Sequence, residues 1–153
     1  MYLYKYDSIV RERIIGYKFG EKSYLYKTFV ESIKTDKKIF DKIKTYDMII
    51  PVPIHKNRQK ERGYNQSELI AKEFENYKNI LIKTKHTKPQ SILTGKERED
   101  NIKNVYIVNE NVVGKNVLLI DDVYTTGATV NECSRVLKLS KAKNIDVLTI
   151  AKD

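Results

Sequence analysis

Apolar residues along this chain fall into two rhythms. In one they come in short unbroken runs: Met48-Ile49-Ile50 with Val52 behind them, Ile80-Leu81-Ile82, Val105 to Val108, Val117 to Ile120, and Ile145 to Ala151, where Asp146 and Thr149 interrupt. A run of about four apolar residues suits a strand covered on both faces, as in a parallel sheet. In the other rhythm they recur every three or four positions: Val10, Ile14 and Tyr17; Leu25, Phe29 and Ile33; Ile70, Phe74 and Tyr77; Val130, Cys133, Val136 and Leu137. That spacing lays them along one stripe of a helix.

Punctuation completes the prediction. Tyr2 to Tyr6 alternate weakly and predict an edge strand. A helix from Ser8 is closed by Lys18-Phe19-Gly20, and a second runs from Ser23 to Ile33. The strand over Asp47 to Pro53 ends at its prolines, which cannot serve a central ladder. A basic loop follows to Gln66, then a helix capped by Asn65 with Glu68 at capping-box spacing. Ile80 to Lys83 is a short strand, Thr84 to Asn104 a long polar segment, and Asn111 to Asn116, with Gly114, a turn. Strands alternating with helices predict an α/β fold: an open, mainly parallel twisted sheet flanked by helices. With 153 residues the chain is expected to be a single domain, with an N-terminal strand and helices over 1–45 as a small hood and a core over 46–153.

Composition narrows the classes. No stretch of eighteen apolar residues exists and the N-terminus has no continuous apolar segment, so a soluble cytoplasmic protein without membrane insertion is expected. One cysteine, Cys133, excludes an internal disulfide and a cysteine-rich zinc site; its helical spacing marks it as a small buried hydrophobe. The net charge of +9 invites a nucleic-acid reading. Six of the 29 cationic residues are arginine, however, and the 23 lysines are spread along the chain, which fits solvated surface.

Chemistry concentrates in Val117 to Thr129, VLLIDDVYTTGAT. The carboxyl end of a strand is where open α/β sheets bind ligands. Asp121 and Asp122 there can accept hydrogen bonds from the two hydroxyls of a vicinal diol such as ribose, and can lie near a divalent cation held by phosphates. Gly127 permits backbone geometry that turns successive amides toward an anion, with Thr125, Thr126 and Thr129 adding hydroxyl donors before a helix whose positive end follows. A second cluster, Ile54 to Gln66, puts Arg58 and Arg62 after another core strand, and arginine's fork suits anions. Asn65 reads as a cap, and His55 as a minor candidate base.

The Asp-Asp-x-x-Thr-Thr-Gly-Ala-Thr string resembles the motif with which type I phosphoribosyltransferases bind phosphoribosyl pyrophosphate (PRPP). The resemblance implies that the acid pair holds the ribose hydroxyls while Thr125, Thr126, Gly127, Ala128 and Thr129 wrap the 5′-phosphate. Pro53, Arg58, Arg62, Gly63, Tyr64, Asn65 and Gln66 match the Pro-x-x-x-x-Arg-x-x-x-Arg-Gly-aromatic-Asn-Gln pattern of ComF-family competence proteins, as does the series Thr87, Pro89, Gln90, Leu93, Arg98 and Asn101. That family implies the type I phosphoribosyltransferase fold, Arg58 and Arg62 as pyrophosphate partners, and a closing lid over Thr84 to Asn104 with Lys96 and Arg98 as candidate contacts. It also implies Mg²⁺ held through substrate and water near Asp121 and Asp122, with no direct protein ligand. Full-length members usually carry a cysteine-rich zinc segment at the N-terminus, which this chain lacks; it reads as a natural short form or a trimmed one. Three functions follow from the resemblance: transfer of ribose 5-phosphate from PRPP to an unidentified acceptor, single-stranded-DNA handling with the competence helicase, or PRPP sensing without turnover. Nothing in the chain stands out as a general base.

Overall fold

The computed structural model describes residues 1–19, 22–85 and 104–153. In chain order they form β1 (Tyr2–Lys5), α1 (Ser8–Phe19), α2 (Leu25–Thr35), α3 (Lys37–Ile43), β2 (Met48–Pro51), α4 (Lys56–Arg62), α5 (Gln66–Ala71), β3 (Leu81–Lys83), β4 (Tyr106–Val108), β5 (Asn116–Tyr124), α6 (Ala128–Leu139) and β6 (Asn144–Lys152).

Four strands make an open sheet in the order β1-β6-β5-β2, every pairing parallel. Central β5 sets Val117 to Ile120 beside Met48 to Pro51 on one side and beside Ile145 to Leu148 on the other. Its apolar run is buried throughout, as expected of a strand covered on both faces. Leu118 and Ile120 pack into a core with Ile49 of β2 and with Ile14, Tyr17, Phe29, Ile33 and Ile70 from the layer of α1, α2 and α5. Val117 and Leu119 face the other core, with Cys133 and Leu137 of α6 and Leu81 and Tyr106 of the small sheet. Alternate side chains of one strand thus anchor two helical layers. The expectations for Ile14, Phe29, Ile33, Ile70, Cys133 and Leu137 as core residues hold.

Several boundaries differ from the sequence reading. The stretch after β2 is not a loop: Lys56 to Arg62 is helical, capped by His55, whose Nδ1 accepts from the Asn57 N–H at 3.2 Å, and closed by Gly63 at φ 80°. No residue of α4 is buried, so no apolar stripe announced it. Helix α3 also escaped the reading; Asp36 caps it by accepting from the Ile39 N–H, and only Ile39 and Ile43 are buried. The acid pair was expected just beyond its strand, yet β5 runs through it to Tyr124, paired with Lys152. Asn65 does cap α5, accepting from the Ser67 N–H at 3.1 Å. Glu68 does not complete a capping box, because its carboxylate takes the Tyr77 hydroxyl at 2.9 Å and the Lys72 ammonium at 2.8 Å.

Beside the main sheet, β3 and β4 pair antiparallel, Leu81 opposite Val108 and Lys83 opposite Tyr106. The N-terminal elements divide between sheet and hood. β1 is the sheet's edge strand, while α1 leans over the carboxyl end of β5.

A candidate ligand cleft at the carboxyl end of the sheet

At the carboxyl ends of β2 and β5 lies a cleft of about 920 Å³, and it gathers both motif clusters. Asp121, Asp122 and every residue from Thr125 to Thr129 line it, as do Arg58 and Arg62. Lys96 and Arg98, with most of the anticipated lid, lie outside the described residues. His55 is a helix cap and does not line the cleft.

The acid pair is electrostatically uneven. Asp121 Oδ1 accepts from the Asp122 N–H at 2.9 Å and, at 3.5 Å, from the Ser67 hydroxyl on α5. Burial and then the adjacent Asp122 carboxylate push the Asp121 carboxyl up to about 7, against smaller opposing effects of the Asp122 N–H, Lys18 and Ser67. Asp122 instead meets a cation: Lys18 Nζ, reaching down from α1, is 2.9 Å from its Oδ2. The two carboxyls therefore differ in surroundings: Asp122 has a cation against it, while Asp121 is held above the usual carboxylate range by burial and by its neighbour.

The next turn has the geometry its residues foretold. Gly127 sits at φ 75°, where a β-carbon would also collide with the Tyr124 ring folded across it. It caps α6 without a side-chain bond, and the Ala128 N–H donates to Thr126 Oγ1 at 3.4 Å. Thr125 and Thr126 are exposed, so their hydroxyls and the positive end of the twelve-residue α6 open on the cleft.

Across the cleft, Arg58 and Arg62 stand four positions apart and so share a face of α4. Arg62 donates to Gln66 Oε1 at 3.3 Å; burial lowers its pKa, with the Asp122 charge opposing that shift. Among the wall residues that sequence reasoning did not place there are Lys18, Ser67, Lys83 and Tyr106. Burial, and then Arg58, pushes the Lys83 ammonium down to about 8, and its Nζ lies 5.5 Å from the centre of the Tyr106 ring. A lysine ending the apolar run of β3 was the available signal for it; Lys18 gave none, since its partner is 104 positions away in the chain. Among the described residues no group of three or more His, Cys, Asp or Glu side chains is arranged to hold a metal ion. Two carboxylates beside a hydroxyl-bearing turn have the donor chemistry for a hard cation held mainly by a ligand's own oxygens and water. No helix of the described residues is long and apolar enough to cross a membrane.

The arrangement can bind a small polyanion that carries a diol: carboxylates at the centre, a hydroxyl and amide loop at one end, and two guanidinium groups at the other. No protein-family model matches the chain. Competence protein F of Haemophilus influenzae is 37% identical over 129 residues, covering 76% of this chain and 55% of that protein. Competence protein ComFC of Bacillus subtilis is 28% identical over 154 residues, 97% of this chain and 62% of that one. DNA utilization protein YhgH of Escherichia coli K12 is 31% identical over 107 residues, 66% of this chain and 47% of that one. The chain spans about half to two thirds of the length of these relatives. Among solved structures, the allosteric regulatory enzyme of purine biosynthesis aligns with a TM-score of 0.47 and 18% identity, over 81% of this chain and 25% of that one. That likeness is too distant to bear on function. With both motifs on one cleft and a relative 37% identical over 76% of this chain, the chain belongs to the ComF family of competence proteins and has an α/β domain built on a parallel sheet.

Proposed function

We propose that this chain binds PRPP, with Mg²⁺ carried on the ligand, as a component of competence and DNA utilization. The observation that carries the reading is the convergence on one cleft of three kinds of group at the ends of two adjacent strands. Asp121 and Asp122 are matched to the ribose hydroxyls, Thr125 to Thr129 to the 5′-phosphate, and Arg58 and Arg62 to the pyrophosphate. Mg²⁺ would neutralise phosphate charge, held by ligand oxygens and water near the acid pair.

In a transfer reaction the carbon–oxygen bond between ribose C1 and pyrophosphate breaks as a nitrogen nucleophile bonds to C1, leaving positive charge on the sugar in between. The Asp122 carboxylate would stabilise that charge, and Arg58 and Arg62 would take the leaving pyrophosphate. Positioning and electrostatics supply most of what such chemistry requires, which suits a site without an evident base. Two relatives are named a competence protein and a DNA utilization protein, and beside that we keep a second reading, in which the domain senses PRPP without turnover or handles single-stranded DNA with the competence helicase.

Two assays separate the readings. Pyrophosphate release from PRPP is measured over the common bases, and single-strand binding is measured across a salt series. Release with any acceptor, lost in Arg58→Ala/Arg62→Ala, supports the transferase. Salt-dependent strand binding without release supports DNA handling. Absence of PRPP binding in the presence of Mg²⁺ removes the ligand proposal.

A further inference from the structure

Three hydrogen bonds tie the last turn of α1 to the segment following α4. Tyr64 Oη donates to the Tyr17 carbonyl at 2.5 Å, Tyr17 Oη donates to the Gln66 carbonyl at 2.8 Å, and Gln66 Nε2 donates to the Lys18 carbonyl at 3.5 Å. The Tyr17 and Tyr64 rings lie 6.0 Å apart, and Tyr17 meets Phe29 edge-on at 5.4 Å. Tyr17 is wholly buried, so the end of α1 is anchored both by packing and by hydrogen bonds. The next side chain along, Lys18, is the one that reaches Asp122, at 2.9 Å, with 24% of the lysine and 16% of the aspartate side chain exposed.

This clasp accounts for residues that anion binding leaves unexplained. In the Arg-Gly-Tyr-Asn-Gln string, Tyr64 and Gln66 spend their polar groups on the hood helix, and Gln66 also accepts from Arg62. A carboxylate offers about four acceptor positions, so an ammonium on Asp122 Oδ2 leaves others open to a sugar hydroxyl. Lys18 therefore has no need to leave when a diol arrives. Its loss would leave Asp122 free to rotate beside a second carboxyl.

We propose that Lys18, clasped through Tyr17, Tyr64 and Gln66, is a positioning residue of the diol site, holding the Asp122 carboxylate in the orientation that receives a ribose hydroxyl. The inference rests on the PRPP reading and adds to it a residue outside both motifs. Its test is equilibrium binding of PRPP with Mg²⁺ to wild type, Lys18→Met, Lys18→Arg and Tyr64→Phe, with ribose 5-phosphate and 2,3-dideoxyribose 5-phosphate, which lacks the diol, as further probes and melting temperatures run alongside. Lys18→Met is expected to stay folded, with a melting temperature lowered by a few degrees as for Tyr64→Phe, and to weaken PRPP binding by about tenfold at a temperature where every variant is folded. Lys18→Arg should restore most of that loss, and Tyr64→Phe, which keeps the ring but opens the clasp, should show a smaller weakening. The penalty should be larger for ribose 5-phosphate than for its 2,3-dideoxy counterpart. Unchanged or tighter PRPP binding by Lys18→Met overturns the inference, and so does an equal penalty for both sugars, which would make Lys18 a general cation. A wild-type protein that binds no PRPP would overturn the ligand reading itself, an outcome distinct from failure of Lys18 alone.

Discussion

Asp121 has a carboxyl raised to about 7, burial being the larger cause and its neighbour Asp122 the second. Folded protein therefore holds a proton there across a range, from about 4 to about 7, in which the unfolded chain has lost it. Stability linked to this group is fully present below the unfolded value and is lost as pH rises through the folded one. Asp121→Asn, which cannot ionise, should show a higher urea midpoint than wild type around pH 8, with the gap closing around pH 5. A gap that widens toward acid would contradict the assignment. Such a carboxyl is placed for a ligand site rather than for stability, which fits its position at the end of the central strand. Gly127 makes the same point in the backbone. An alanine there meets both the left-handed φ and the Tyr124 ring, so Gly127→Ala is expected to cost about 1–2 kcal/mol in chemical denaturation. Binding of the 5′-phosphate should fall further than that stability loss explains.

Helix α5 depends on one side chain for two jobs. Asn65 Oδ1 accepts from the Ser67 N–H while Nδ2 donates to the Val52 carbonyl, fixing the helix start to the end of β2. Asn65→Ala should therefore cost about 2 kcal/mol, the upper end for a lost cap, because a buried carbonyl is also orphaned. The cap could be read from sequence because it is local. So could β5 and the turn after it, since an apolar run, two acids and a glycine each dictate their own geometry. Helix α4 could not, because its face toward the protein carries arginines in place of an apolar stripe, leaving no period to detect. Glu68 illustrates a different limit: it has the right spacing for a capping box but finds better partners in Tyr77 and Lys72. Lys18 is the extreme case, since only the closing of α1 over the sheet brings it to Asp122.

For the molecule as a whole, the sheet order places the first strand of the chain beside the last and the cleft between the carboxyl ends of β2 and β5 and the hood helix. N-terminal residues such as Ile14 and Phe29 share one core with Leu118, Ile120 and Leu148, so unfolding the hood should expose the core of the sheet. A ligand bound only by the folded state then stabilises the whole unit: at about 100 times its Kd, PRPP with Mg²⁺ should add about 2.7 kcal/mol and raise the melting temperature in a single shifted transition. Two separated transitions, with only one responding, would contradict a shared core. The most direct test is isothermal titration calorimetry of PRPP with Mg²⁺ against wild type and Asp122→Ala. Saturable binding by wild type and its loss in Asp122→Ala is the predicted result; equal heats from the two proteins would contradict a PRPP site built on the acid pair.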